Sequence, residues 1–148
     1  MKALSILVAL AVAGCASLPA PRPTAANGAW TLQASATAGS ALVWTDSRGE
    51  GLRIACRRNP ADLWLATPRL KGTPGAVWLA TGGDTFQLTA EGVAPVLSAV
   101  GPVPETLPSA ITAGGGLGVR QGPRALAFPS PDPKTATAFA IACRGPLR

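Results

Sequence analysis

From Trp30 onward the apolar residues of this chain recur at every second position, in short runs that glycine and proline keep cutting off. A period of two puts alternate side chains on opposite faces of an extended backbone, so each run reads as a strand with one buried face. Residues 30–35 and 41–45 are the first two such runs. Asp46-Ser47-Arg48-Gly49 then supplies a turn, and 52–57 a third strand. Residues 63–66 and 77–80 are two more, and each overlaps a copy of the string Trp-Leu-Ala-Thr, at 64–67 and 78–81. The connection 67–75 holds Pro68, Gly72, Pro74 and Gly75 and is expected to be an irregular hairpin loop. Residues 85–89 alternate cleanly, and 95–99 form a further candidate strand.

The second half is less regular. Residues 106–113 suit one or two helical turns, capped by Thr106 and ended by Gly114-Gly115-Gly116. Residues 117–120 and 124–128 read as strands around Gln121-Gly122-Pro123. Residues 132–143 admit two readings. A strand would put Phe139, Ile141 and Cys143 on one face; a helix would have Asp132 as its N-cap, Pro133 at its first position and Gly145 beyond its end. The predicted class is mainly β: an antiparallel β-sandwich or small barrel, with one or two short helices in the C-terminal half. A length of 148 residues allows one domain, and 47% hydrophobic against 14% charged residues argues against wholesale disorder.

The first residues carry a different signal. Met1-Lys2 precedes an apolar run from Ala3 to Ala13, and small residues close it. This is the layout of a secretory signal, and it is too short for a permanent membrane span. Val12-Ala13-Gly14-Cys15 resembles the lipobox of bacterial lipoproteins. The resemblance implies cleavage before Cys15, diacylglyceryl transfer to its thiol and acylation of its amine. Several acyl chains would exceed what stable anchoring requires, so the membrane becomes a partner through the lipid anchor. Ala16, in place of an aspartate, implies sorting to the outer membrane of the cell envelope. Cleavage by ordinary signal peptidase after Ala13, leaving Cys15 as a spare thiol, is the competing reading. The expected organisation is a signal peptide at 1–14, a lipidated cysteine and Pro/Ala-rich tether at 15–28, and a single β-rich domain at 29–148.

With Cys15 acylated, Cys56 and Cys143 remain, and in an oxidising envelope they most simply form one disulfide. The chain-entropy argument gives about 4.5 kcal/mol for a loop of that size. No CxxC spacing marks a redox centre. Both cysteines sit in the string Ile-Ala-Cys-Arg, too short to indicate a duplication.

The formal charge is +6, and the basic residues are dispersed except at Arg53, Arg57 and Arg58. On a strand, Leu52, Ile54 and Cys56 would face the core and Arg53 and Arg57 the outside. That pair suits bidentate recognition of phosphate or carboxylate. The alternative is a solvated strand face whose arginines pair with Asp46, Glu50 or Asp62. Nucleic acid is not an expected partner, because aromatic and basic residues do not interleave. An envelope polymer or an envelope protein is.

Histidine is absent, which removes Ser-His-Asp and Cys-His catalysis and imidazole metal ligands. Three cysteines cannot build a four-cysteine zinc site, and 7 scattered acids make a poor calcium cage. No catalytic residue, metal or cofactor is assigned. Gly114-Gly115-Gly116-Leu117-Gly118 lacks both the dinucleotide fingerprint and the P-loop lysine, and reads as a turn leading into a strand. The four tryptophans at alternating positions read as packing, with a ligand platform as the alternative. The expectation is a membrane-anchored, non-catalytic binding or scaffolding domain. The alternatives are an enzyme acting on envelope glycan or lipid through Asp46, Glu50, Asp62 or Asp84, or an inhibitor presenting the loop 67–75.

Overall fold

The computed structural model describes residues 27–35, 38–58 and 61–144. The signal segment, Cys15 and nearly all of the expected tether lie outside them. Nine strands and two helices follow in order: β1 (Gly28–Ser35), β2 (Gly39–Asp46), β3 (Gly49–Arg58), β4 (Ala61–Thr67), β5 (Ala76–Thr81), β6 (Asp84–Ala90), β7 (Leu97–Gly101), α1 (Leu107–Ala113), β8 (Leu117–Gln121), β9 (Arg124–Phe128) and α2 (Pro133–Cys143). The fold is mainly β with helices in the C-terminal part, as the alternation implied. The strands form one antiparallel sheet in the order β1-β2-β3-β4-β7-β6-β5-β8-β9, curled into a half-barrel rather than split into two packed layers.

The curl brings the two edges of the sheet together. Trp30 of β1 lies 6.3 Å, centroid to centroid, from Phe128 of β9, and its indole N–H donates to the Pro129 carbonyl at 2.8 Å. Trp44 packs against Trp30 with the rings tilted by 54° and their centroids 5.5 Å apart. Inside the curl the alternating residues form one core: Leu42, Leu52, Ile54, Leu63, Leu65, Leu79 and their neighbours from every strand.

Residues 67–75 are not a hairpin loop. β4 pairs with β7 and β5 with β6 and β8, so this segment is a crossover that passes two strands before re-entering the sheet. The later strands fill the gap it leaves, a long-range choice that local turn residues cannot signal. Its backbone is tied to the β6–β7 connection through a Gly72–Ala94 bridge and a Leu97 amide donating to the Leu70 carbonyl at 2.7 Å. Pro95 and Val96 belong to that connection, and β7 starts only at Leu97.

The helices close the inner face. α1 starts after Thr106, but the Thr106 side chain makes no capping bond; its carbonyl accepts from Ser109 Oγ at 2.8 Å and from the Ala110 amide at 2.9 Å. Residues 133–143 take the helical reading. Asp132 accepts from the Thr135 amide at 3.0 Å, and Pro133 occupies a first-turn position where no amide donor is required. The strand reading would have buried Ile141 with Phe139; instead Ile141 is exposed and Ala136, Phe139 and Ala140 face the core at helical spacing. Fully burying a side chain such as Phe139 stabilises by roughly 1.5–3 kcal/mol. α2 packs on α1 and against β1 and β2. The Cys56–Cys143 disulfide joins the inner face of β3 to the last residue of α2, with the two Cα atoms 5.2 Å apart.

Candidate functional site

The face of β1–β4 turned away from the helices carries the candidate site. Register builds it. Gln33 pairs with Ala41, Ala41 with Ala55, and Ala55 with Trp64, which makes one row across four strands. Two alanines in the middle of that row leave a depression between the longer side chains at its ends. Arg53 and Arg57 stand two residues either side of Ala55 along β3, so they wall the same depression at right angles to the row. The result is an open trough of about 410 Å³ with an apolar floor. Beneath it Ala41, Val43 and Ala55 pack with Trp64 into a small cluster separate from the main core.

The walls are held by paired charges. Arg53 donates through Nε and Nη2 to both oxygens of Glu50, at 2.9 and 2.8 Å, and through Nη1 to Gln33 Oε1 at 2.9 Å. Arg57 donates through Nε and Nη2 to both oxygens of Asp62, each at 2.6 Å. Those carboxylates raise the pKa of each guanidinium above its ordinary value. The Arg57 guanidinium also lies 5.9 Å from the centre of the Trp64 ring, within cation–π range. Trp64 in turn donates its indole N–H to Ser98 Oγ at 2.8 Å and to Glu91 Oε2 at 3.1 Å, and the Ser98 hydroxyl donates to the same carboxylate.

Of the three arginines singled out in the sequence, two meet at this site. Arg53 and Arg57 face outward as alternation required, but their bidentate donor edges are already filled by Glu50 and Asp62. The strand-face reading therefore describes them better than an open anion site does. Arg58 is exposed at the end of β3 and does not line the trough. Gln33, Trp64 and the paired alanines were not linked to the arginines from sequence, because the link is cross-strand register. An outward Gln33 and Trp64 at alternating positions was the available signal.

The four carboxylates considered for acid–base work are dispersed. Asp46 receives Arg69 Nη2 at 2.6 Å and the Arg48 amide at 2.9 Å, and these hold its carboxyl down at about 2. Glu50 and Asp62 belong to the arginines just described. Asp84 is exposed at the β5–β6 turn, in a shallow depression it shares with no second carboxylate. Among the described residues no three cysteine or acidic side chains group as metal ligands. No helix among them is long and apolar enough to cross a membrane. The tryptophans divide: Trp30 and Trp44 are core residues, whereas Trp64 and Trp78 are half-buried on the outer face. The glycine run behaves as a turn, with Gly114, Gly115 and Gly116 all at positive φ immediately before β8.

Comparison with protein-family models, with curated proteins and with solved structures finds no match for this chain.

Proposed function

We propose that the chain is a bacterial envelope lipoprotein, acylated at Cys15 and held at the outer membrane, whose β-domain binds an envelope glycan polymer without chemically altering it. The address rests on the lipobox-like Val12-Ala13-Gly14-Cys15 and the tether after it. The binding role rests on one observation: the trough over Ala41 and Ala55, flanked by Arg53, Arg57 and Trp64. Its donors are neutralised by partner carboxylates, and its floor is apolar. That combination suits a hydroxyl-rich, weakly charged surface, which offers both hydrogen-bond partners and C–H faces. A bare phosphate would meet guanidinium forks already engaged.

The carboxylate-enzyme alternative gains no support from the arrangement. A general acid needs a carboxyl raised toward neutrality. Asp46 is shifted the opposite way, by Arg69 first and then by the Arg48 amide.

The test is co-sedimentation of the purified protein with peptidoglycan sacculi and, separately, with lipopolysaccharide vesicles, at low and high salt. Binding to sacculi that survives high salt is expected, with loss on Ala55→Leu, which fills the trough and leaves every charge in place. Binding that disappears in salt would reduce the reading to attraction by the net positive charge. Salt-resistant binding untouched by Ala55→Leu would move the site elsewhere.

A further inference from the structure

The trough over Ala41 and Ala55 sorts its hydrogen-bonding groups by kind. Arg53 engages all three guanidinium nitrogens, two with Glu50 and one with Gln33 Oε1. That last bond occupies the acceptor of the Gln33 amide and leaves its Nε2 as a donor with no partner among the described residues. Arg57 engages Nε and Nη2 with Asp62, and its Nη1 is likewise without a partner. Trp64 donates its indole N–H to Ser98 and Glu91, neither of which lines the trough, so it offers the trough only its ring. Glu50 and Asp62 do not line it either, and no other carboxylate does. The remaining side-chain oxygens are the hydroxyls of Ser35 and Ser40, and Ser35 Oγ already accepts from the Ala38 amide at 3.1 Å.

Register places the two unpartnered donors apart. Gln33 and Trp64 end the row that runs through Ala41 and Ala55. Arg57 lies beside Trp64, whereas Arg53 is bonded to Gln33. One donor therefore stands at each of two opposite corners, with the alanine floor between them.

These features select a ligand. Donors without acceptors call for a group that accepts, and a floor of alanine methyls calls for a small apolar group next to it. Each guanidinium already has a carboxylate at its fork, so an anionic group would approach Glu50 and Asp62 with no unpaired cation to offset them. A neutral amide carbonyl accepts without that conflict. An acetamido group carries such a carbonyl together with a methyl, and in an open trough its N–H stays with water. A sugar hydroxyl at the same place has nothing to set on the floor. A polymer with acetamido groups on successive sugars supplies a carbonyl to each corner, and the glycan strands of peptidoglycan are of this kind.

We infer that the trough reads the acetamido groups of an N-acetylated amino-sugar polymer, with Gln33 Nε2 and Arg57 Nη1 donating to their carbonyls and the floor at Ala41 and Ala55 receiving their methyls. This rests on the glycan-binding reading above and adds the feature by which one glycan is told from another.

The experiment titrates the purified full chain by calorimetry with two neutral β-1,4-linked tetrasaccharides. One is built of N-acetylglucosamine and the other of glucose, which has a hydroxyl in place of the acetamido group. Co-sedimentation with sacculi is run on the same preparations. The acetylated tetrasaccharide is expected to bind about tenfold tighter or more, the scale set by one small apolar group in a fitted pocket. Ala55→Leu fills the floor, and Gln33→Glu replaces the unpartnered donor with an acceptor while keeping an oxygen for Arg53; each is expected to remove most of that preference. Gln33 is exposed, so its variant tests the site even where Ala55→Leu disturbs the sheet. Salt-resistant binding to sacculi with equal affinity for the two tetrasaccharides would overturn this inference and leave the glycan reading standing. A preference that survives both substitutions would overturn it as well, since another surface would then be reading the acetamido group. Failure to bind sacculi or either tetrasaccharide overturns the inference and the reading together.

Discussion

Trp30, near the start of the first strand, donates its indole N–H to the carbonyl of Pro129, one residue past the ninth, at 2.8 Å. This bond fastens the two edges of the sheet without a strand ladder between them, and the Trp30, Trp44 and Phe128 rings fill the seam. Edge strands are where a half-barrel is most exposed to mispairing, so an aromatic clasp at the seam protects as well as stabilises.

Two substitutions separate the parts of that clasp. Trp30→Phe removes the donor but keeps a ring, and the Pro129 carbonyl can turn to water, so about 1 kcal/mol of stability is expected to be lost. Trp30→Ala also empties the seam and is expected to cost about 3–5 kcal/mol. Denaturant unfolding followed by tryptophan emission measures both. Equal losses from the two variants would show that the ring itself contributes little.

The disulfide makes a prediction of a different kind. Cys56 and Cys143 are 87 residues apart and hold the end of α2 against β3. Replacing both with serine is expected to lower stability by about 2–5 kcal/mol. Hydrogen exchange should then rise first in α2, because its remaining hold is the packing of Ala136, Phe139 and Ala140, whereas the central strands keep their ladders. Uniform loss of protection across sheet and helix would mean that the helix does not open separately.

How far the sequence was legible shows in two repeated strings. Trp-Leu-Ala-Thr is a strand both times, at 64–67 in β4 and 78–81 in β5, with tryptophan outward and Leu65, Thr67, Leu79 and Thr81 buried. There the local period of two agrees with the tertiary environment. Ile-Ala-Cys-Arg is strand at 54–57, but at 141–144 it ends a helix, where Ile141 is exposed and Ile54 is not. Asp132 and Pro133, upstream of the second copy, settle its conformation; the four residues themselves do not. The strands were readable because each carries its own alternation. The crossover at 67–75 and the trough were not, since both depend on which strand lies beside which. β4 alone gives no sign that β7 will be its neighbour, and β3 alone does not say that Ala41 and Trp64 will flank Ala55. The pairing of Arg53 with Glu50 and of Arg57 with Asp62 was nearer to hand, because each partner lies within five positions along the chain.

Two adjacent glycines at the β5–β6 turn test close packing against backbone freedom. Gly82 and Gly83 both have positive φ, 58° and 87°. A Cβ on Gly83 would meet nothing within 4 Å, whereas one on Gly82 would fall 2.1 Å from the Ala110 carbonyl oxygen in α1. Gly83→Ala is expected to cost the backbone penalty alone, about 1–2 kcal/mol. Gly82→Ala should cost clearly more, because the obstacle is main chain in a packed helix. Thermal unfolding of the two variants side by side gives the comparison; equal losses would show that α1 moves away without resistance.

The last prediction concerns acid. Asp46 lies under Arg69, whose guanidinium donates at 2.6 Å and also rests 5.8 Å from the Phe128 ring, so this carboxylate connects the β2–β3 turn to the closing seam. Arg69 chiefly, with the Arg48 amide, lowers the Asp46 pKa to about 2. In the unfolded chain an aspartate titrates near about 3.9. The folded state therefore binds the proton less well than the unfolded state. The stabilisation from the ionised form is complete above the unfolded value and is lost as pH falls through the folded one. Asp46→Asn removes that titration. The stability gap between the parent and this variant should be constant from neutral pH down to about 5, then narrow steadily toward pH 2. Urea unfolding at a series of pH values checks it. A gap that stayed the same width down to pH 2 would mean that the Arg69 contact is no stronger to the carboxylate than to the neutral side chain.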